Sequence, residues 1–260
     1  MTPFILLIIF LISWCIQIAF YSVIFGKLAF YSTKKTFLTK YNCGISVIIC
    51  ARNEFENLSK NIDLIAKQDY DNFEIIVVND ASTDNSAALL EAYSKKYSHF
   101  RFLNISEAEK KQKGKKQALA RGIKAAKNEI VVLTDADCWP NSSQWLSLMA
   151  RHFENEAIDV VLGYAPYEKN GSFLNKCVQF ETVYTAIQYL SFALSGYPYM
   201  GVGRNLAYRK KKFEQVKGFA KSEHIISGDD DLFINQIAHK DNIIIEIDSK
   251  SFCHSLAATS

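Results

Sequence analysis

Residues Ile130 to Cys138 read I-V-V-L-T-D-A-D-C. A run of Val, Val and Leu between polar residues is the pattern of a central strand covered on both faces. It stops abruptly at two carboxylates one residue apart, Asp135 and Asp137. Open α/β sheets place their ligands outside the carboxy ends of their strands. In an extended chain residues i and i+2 point to the same side, so both acids can face one ligand. Paired hard oxygens suit a divalent cation, and a divalent cation suits a diphosphate. An Asp-x-Asp pair in a solvated turn is the plain alternative, and the rest of the chain decides between them.

Upstream, the same rhythm repeats. Ile45 to Cys50 (I-S-V-I-I-C) and Phe73 to Val78 (F-E-I-I-V-V) read as buried strands, and Phe100 to Ile105 as a shorter one. Between them, Leu58, Ile62 and Ile65 carry a helical spacing within Asn53 to Gln68. Ser82, Thr83 and Asp84 offer helix caps before Ala87 to Leu90. Gly114 to Lys127 predicts a helix with Ala118, Leu119, Ile123 and Ala126 on its apolar stripe. Asn141 or Ser142 caps a helix around Trp145 to Phe153. Strands alternating with helices predict an α/β fold, a Rossmann-like and mostly parallel sheet with helices on both faces.

The second half changes character. It predicts a strand over Ile158 to Tyr164 and a long apolar, Tyr-rich helix over Phe173 to Leu194. Glu181 and two glutamines make that helix buried or interfacial rather than spanning. Tyr199 to Tyr208 reads as a strand or hairpin arm, Ser227 to His239 as a helix and Ile243 to Ile247 as a late strand.

Composition bounds the function. The chain of 260 residues is 49% hydrophobic and 22% charged, which excludes disorder. A net charge of +3 with dispersed basic residues gives no argument for nucleic acid. The six cysteines show no CxxC pair and no zinc spacing, so they read as reduced, mostly buried thiols in a cytosolic environment.

Phe4 to Phe25 carries no charge, and roughly 22 helical residues span about 33 Å, enough for a bilayer core. No Lys or Arg precedes Lys27, unlike a cleaved signal peptide. The expectation is a transmembrane anchor over residues 1–27, a basic juxtamembrane linker over 28–44 and a catalytic domain over 45–260. Lys27, Lys34, Lys35 and Lys40 favour a cytoplasmic C-terminal side.

If the sheet is parallel, several features share one edge. Ala51-Arg52-Asn53-Glu54 follows the first strand, Asp80 the second, and Asp135 and Asp137 the fourth, while Lys115 opens the helix before it. Gly228-Asp229-Asp230-Asp231 opens a helix in the second half. Singly, each has a structural reading: helix cap, turn acid, solvated lysine or dipole partner. Three adjacent acids repel one another, however, raising at least one pKa towards the range of a general base.

The arrangement resembles the family 2 glycosyltransferases. The matching stretches are S-V-I-I-C-A-R-N-E at Ser46 to Glu54, I-V-V-N-D-A-S-T-D at Ile76 to Asp84 and G-K-K-Q-A-L at Gly114 to Leu119. T-D-A-D at Thr134 to Asp137 and G-D-D-D-L at Gly228 to Leu232 complete them. Together they cover about Ile45 to Cys253. The resemblance implies an A-type glycosyltransferase fold preceded by one transmembrane helix. The implied activity is inverting transfer from a nucleotide-sugar donor, of the UDP-sugar class, to a lipid-linked or glycan acceptor. By likeness, Ala51, Arg52, Glu54 and Asp80 hold base and ribose, with Asp84 less firmly matched, and Lys115 lies near the nucleotide. Asp135 approaches the ribose, and Asp137 coordinates a Mn²⁺ or Mg²⁺ bridging the diphosphate. Gly203-Arg204-Asn205 lines the acceptor and donor pocket.

The family's later motif is usually Glu-Asp-x-Asp-Leu, whose first Asp is the base. Gapless matching makes that Asp229, with Gly228 where Glu is usual and Asp230 as the alternative. The membrane members' Gln-x-x-Arg-Trp motif and further helices do not precede Ser260, which predicts a C-terminally truncated chain. His254 is a further candidate metal ligand, weighed against a solvated loop histidine. Two rival functions stay open. A sugar nucleotidyltransferase needs a Gly-rich loop where Ala51 to Glu54 stand, and a membrane-anchored binding protein needs no base.

Overall fold

The structure is a computed structural model that describes residues 2–32, 43–110 and 114–256. Strands β1 (Ile45–Ala51), β2 (Phe73–Asp80), β3 (Phe100–Ile105) and β4 (Ile130–Asp135) alternate with helices α3 (Phe55–Ala66), α4 (Ser86–Lys96) and α5 (Lys116–Ala125). They follow an N-terminal helix made of α1 (Thr2–Phe20), a π-turn at Tyr21–Phe25 and α2 (Gly26–Ala29). After β4 come β5 (Cys138–Pro140), α6 (Trp145–Ala150), β6 (Val160–Leu162), α7 (Phe173–Leu194), β7 (Leu206–Arg209) and α8 (Lys210–Gln215). Then follow α9 (Asp231–Ile237), β8 (Ile243–Ile245) and β9 (Cys253–Ser255).

Seven strands form one sheet in the order β3-β2-β1-β4-β7-β6-β8. β1 runs parallel to β2 and β4, β2 parallel to β3, and β6 parallel to β8. Only β7 runs against its neighbours β4 and β6. The expected mostly parallel sheet is therefore present.

Both faces are dry, which is why the strands read as unbroken apolar runs. Val47 and Ile49 of β1 join Leu58, Ile62 and Ile65 of α3, Leu90 of α4 and Trp145 of α6 on one face. Ile48 points the other way, to Ala118, Leu119 and Ile123 of α5, with Tyr189 of α7 and Phe233 of α9 in the same cluster.

Several boundaries differ from expectation, each for a local reason. The helix expected from Asn53 starts at Phe55, because Asn53 sits at φ 57°. The helix expected from Gly114 starts at Lys116, because Gly114 has φ 87°. The helix expected from Ser227 starts at Asp231, behind Gly228 at φ 78°. Within the expected arm Tyr199–Tyr208, only Leu206 onward is strand, and Gly203–Asn205 forms a 3-10 turn. The small ribbon β5–β9 had no apolar run to announce it.

All six cysteines are free. Only Cys138 and Cys253 are buried, while Cys43 and Cys50 are half-buried and Cys15 and Cys177 exposed, which corrects the expectation of mostly buried thiols. Lys34, Lys35 and Lys40 lie outside the described residues, so the juxtamembrane charge pattern stays an expectation.

Candidate active site

The carboxy ends of β1, β2 and β4 bring the expected residues to one edge. Ala51 is the buried last residue of β1, and Arg52 beyond it is exposed, 3.5 Å from Glu107. The turns after β1 and β2 are cross-braced. Asn53 accepts the Thr83 N–H at 2.7 Å through its side chain, and its own N–H donates to Ser82 Oγ at 2.9 Å. Asn53 and Ala81 both hold left-handed backbones, at φ 57° and 55°. Such strain in non-glycine residues costs about 1–2 kcal/mol each and concentrates at functional sites.

Asp84 does the bracing from the other side, its carboxylate accepting the Phe55 N–H at 3.0 Å and the Ser86 N–H at 3.0 Å. Its role here is to start two helices. Glu54 accepts the Asn57 amide at 2.6 Å on the first turn of α3.

Asp80 is nearly buried, and Lys110 closes on it at 2.5 Å. Sequence reading missed Lys110. It belongs to a lysine-rich stretch in which nothing marks one ammonium over the next.

Lys115 is the centre of the site. Its ammonium lies 3.2 Å from Asp135 Oδ1 and 3.1 Å from Asp229 Oδ2. Burial works against its charge, but Asp135, Asp229 and Asp230 outweigh it and hold the Lys115 pKa above the usual lysine range.

The three acids before Leu232 divide their work. Asp229 faces Lys115 and is nearly buried. Asp230 caps α9, accepting the Asp231 N–H at 3.0 Å with one oxygen and the Gly203 N–H at 2.8 Å with the other. Asp231 carries the raised pKa, pushed up to about 6 by burial and then by the charges of Asp230 and Asp229. Gly228 stands where the related motif usually has Glu because its φ of 78° disfavours a side chain and Leu232 fills the space a Cβ would take, at 2.9 Å.

Gly203 meets this cluster directly. A Cβ there would stand 3.3 Å from Asp230 Oδ2 and 3.5 Å from Lys115 Nζ. Asn205 does not share the crevice. Its side chain is fully buried, accepting the Trp145 indole N–H at 3.0 Å and donating to the Tyr164 and Ser251 carbonyls at 2.9 and 2.8 Å. It ties β7 to α6 and the C-terminal segment. Arg204 points elsewhere, its guanidinium 4.2 Å from the Tyr167 ring centre.

Asp135, Asp137 and Cys138 bring one ligand atom each within 4.8 Å of one another. Two carboxylates suit Mn²⁺ or Mg²⁺, and the chemistry of the donor set fits. Burial pushes the Cys138 thiol well up, so it offers a neutral sulfur and no hard anionic ligand. Ser255 Oγ donates to Asp137 Oδ2 at 2.9 Å and orients that carboxylate. His254 is not in the group among the described residues. It pairs across the ribbon with Trp139, their rings stacked at 6.0 Å, while its neighbour Ser255 turns towards Asp137. Burial, partly opposed by Glu168, lowers the His254 pKa.

A family model described as glycosyl transferase family 2 matches residues 46–217, more than half of the chain. The chain belongs to glycosyl transferase family 2. Among curated relatives, a poly-beta-1,6-N-acetyl-D-glucosamine synthase of Staphylococcus epidermidis is 29% identical over 133 residues. The glycosyltransferase GlyG of Streptococcus pneumoniae is 34% identical over 131. These alignments span 51% and 50% of this family 2 chain, but only 31% and 42% of the relatives' lengths.

Among solved structures, the mannosyltransferase PcManGT of Pyrobaculum calidifontis, in complex with GDP-Man and Mn²⁺, superposes with a TM-score of 0.66 at 21% identity. That match covers 93% of this chain and 68% of the other. TarS of S. aureus in complex with UDP-GlcNAc gives 0.63 at 20% identity, covering 84% and 59%. At these identities the likeness establishes the fold, which is the A-type glycosyltransferase fold.

Proposed function

We propose that this family 2 chain transfers a sugar from a nucleotide-sugar donor, of the UDP-sugar class, to a hydroxyl of a lipid-linked or glycan acceptor, with inversion. The observation that carries the reading is the Lys115 bridge. One ammonium joins Asp135, at the donor edge of β4, to Asp229, the acid matched to the family's base. The complexes of PcManGT with GDP-Man and of TarS with UDP-GlcNAc support a nucleotide-sugar donor, the second of them the UDP class, and the poly-beta-1,6-N-acetyl-D-glucosamine synthases a glycan product.

In this reading Ala51, Arg52, Glu54 and Asp80 hold the nucleoside, and Asp135 the ribose. Asp137, oriented by Ser255, holds a Mn²⁺ or Mg²⁺, which when bound supplies Lewis-acid stabilisation of the leaving diphosphate. A diphosphate entering the crevice competes for Lys115 and frees Asp229. Asp229 then takes the proton of the acceptor hydroxyl as its oxygen forms a bond to the anomeric carbon. The bond to the diphosphate breaks on the opposite face, so one displacement inverts the centre.

The apolar helix Pro3–Ala29, 27 residues long and wholly unburied in its most apolar stretch, supports membrane anchoring, with the catalytic unit assigned to the cytoplasmic face. Deleting residues 1–29 is expected to move the chain from the membrane fraction towards the soluble one.

The deciding experiment screens the purified chain against a panel of nucleotide sugars with Mn²⁺. Asp229→Asn is expected to bind the same nucleotide diphosphate normally and to lose transfer by roughly 10²-fold or more. Transfer unchanged in Asp229→Asn but collapsed in Asp230→Asn moves the base by one residue. If neither slows transfer, the mechanism is wrong.

A further inference from the structure

Helix α7 presents two faces with the same internal spacing. Phe173, Cys177, Phe180 and Tyr184 recur at i, i+4, i+7 and i+11, and so do Val178, Thr182, Thr185 and Tyr189. The two sets are offset by five residues, about 140° around the helix.

The first set is an aromatic stripe open to its surroundings: Phe173 is 82% exposed and Phe180 72%. Phe180 and Tyr184 stack with centroids 6.0 Å apart. The stripe runs into the N-terminal helix, where Tyr184 shares a side-chain hydrogen bond with Tyr21 and Phe192 meets Phe20 at 6.2 Å. That helix is held to the core where it ends. Leu28 and Tyr31 pack against the apolar cluster, and the Tyr31 hydroxyl donates to the Ile245 carbonyl at 3.3 Å. With the helix anchored in a bilayer, its docked end sets α7 beside the membrane surface with the stripe towards the acyl boundary, as interfacial helices lie.

The second set lines a cavity of about 280 Å³ behind α7, bordered by Tyr167 and Arg204. That volume is at the small end for a ligand pocket and suits one headgroup rather than a run of sugars. Two of its hydroxyls are occupied: Thr182 donates to the Val178 carbonyl and Tyr189 to the Gly163 carbonyl. Arg204 differs. Its guanidinium sits over the Tyr167 ring, and its Nη1 is buried without a hydrogen-bond partner. Glu181 stands exposed in the lining, and no ion pair joins it to Arg204 among the described residues. A guanidinium with spare donors recognises an anionic oxygen cluster, phosphate above all. Arg204 also directly follows Gly203, whose N–H is held by Asp230, so the cavity adjoins the catalytic crevice.

We propose that the cavity between α7 and Arg204 binds the phosphate headgroup of a lipid-linked acceptor, entering from the membrane along α7. The inference rests on the transferase reading above and specifies its acceptor as a phosphate-bearing lipid.

The test uses the full chain purified in detergent and calorimetry with farnesyl phosphate, farnesol and inorganic phosphate. Mn²⁺-dependent UDP binding is measured on every sample. Farnesyl phosphate is expected to bind about tenfold or more tightly than either farnesol or inorganic phosphate. Arg204→Gln is expected to weaken it by about ten- to a hundredfold, the value of a charge-assisted bond. Thr185→Trp, which fills the cavity from α7, is expected to block farnesyl phosphate and leave UDP binding in place.

Equal binding of farnesol overturns the phosphate contact, and equal binding of inorganic phosphate overturns the lipid. Arg204→Gln losing UDP affinity instead assigns Arg204 to the donor and overturns the proposal. So does farnesyl phosphate binding untouched by both substitutions. In each of these cases, metal-dependent UDP binding by the unsubstituted chain leaves the transferase reading standing. Loss of metal-dependent UDP binding in the unsubstituted chain is what removes that reading.

Discussion

Lys115 holds Asp229 at 3.1 Å across two parts of the chain that are more than a hundred residues apart, and it holds Asp135 with the same ammonium. The pairing makes the end of β4 and the start of α9 one unit. It also gives the nearly buried Asp229 carboxylate an ion pair.

Removing that ammonium is expected to cost both binding and stability. Lys115→Met keeps the length of the side chain and leaves Asp229 buried without its counter-charge, which costs about 1–3 kcal/mol. Thermal unfolding reads this as a lower Tm, and calorimetry as weaker UDP binding. A Tm equal to the parent's would show that Asp229 finds other support.

Asp231 is expected to set a pH dependence of stability. Its folded pKa, about 6, lies above that of an ordinary carboxyl, so the fold favours the protonated form. The stabilisation is fully present below the unfolded pKa of about 3.9 and is lost as pH rises through about 6. Because the group is partly solvated, the effect is modest. Asp231→Asn lacks the titration, so its Tm relative to the parent rises between pH 4 and pH 7.5. A difference that stays flat over that range would contradict the assignment.

Metal dependence is expected to follow Asp137. Asp137→Ala abolishes the effect of Mn²⁺ on UDP affinity, whereas Asp80→Ala weakens UDP binding with or without metal. Ser255→Ala, which removes only the hydrogen bond to Asp137, weakens the metal effect about 10- to 100-fold, as outer-shell changes do. Metal-dependent affinity unchanged in Asp137→Ala, by calorimetry, would sink the ligand assignment.

Asn205→Ala is expected to be a folding defect. It leaves the Trp145 indole and the Ser251 carbonyl without partners, at about 1–3 kcal/mol for each group, while the Tyr164 carbonyl keeps the Cys253 N–H. Denaturant unfolding should show a loss of about two such increments, while the folded fraction binds UDP as before. A stable variant with impaired UDP binding would return Asn205 to the donor pocket.

Much of this was legible in the chain. Buried parallel strands must be apolar on both faces, so β1, β2 and β4 declared themselves, and the acids ending them could only lie at one edge. Ala51, Asp80, Lys115, Asp135 and Asp137 reach that edge as read. The second half was less legible because its strands have three or four residues, too short for a period to show.

Which residues carry charge at the sheet's edge can be read from the chain alone, because the apolar runs locate their own ends. How those charges pair depends on the packed fold. Asp229, Asp230 and Asp231 are consecutive and chemically identical, yet one meets Lys115, one holds Gly203 and one is left with a raised pKa. Lys110 on Asp80, Ser255 on Asp137 and Asn205 inside the core are likewise long-range meetings. The physical reason is that direction, burial and counter-charge belong to the packed environment, and no local spacing encodes them.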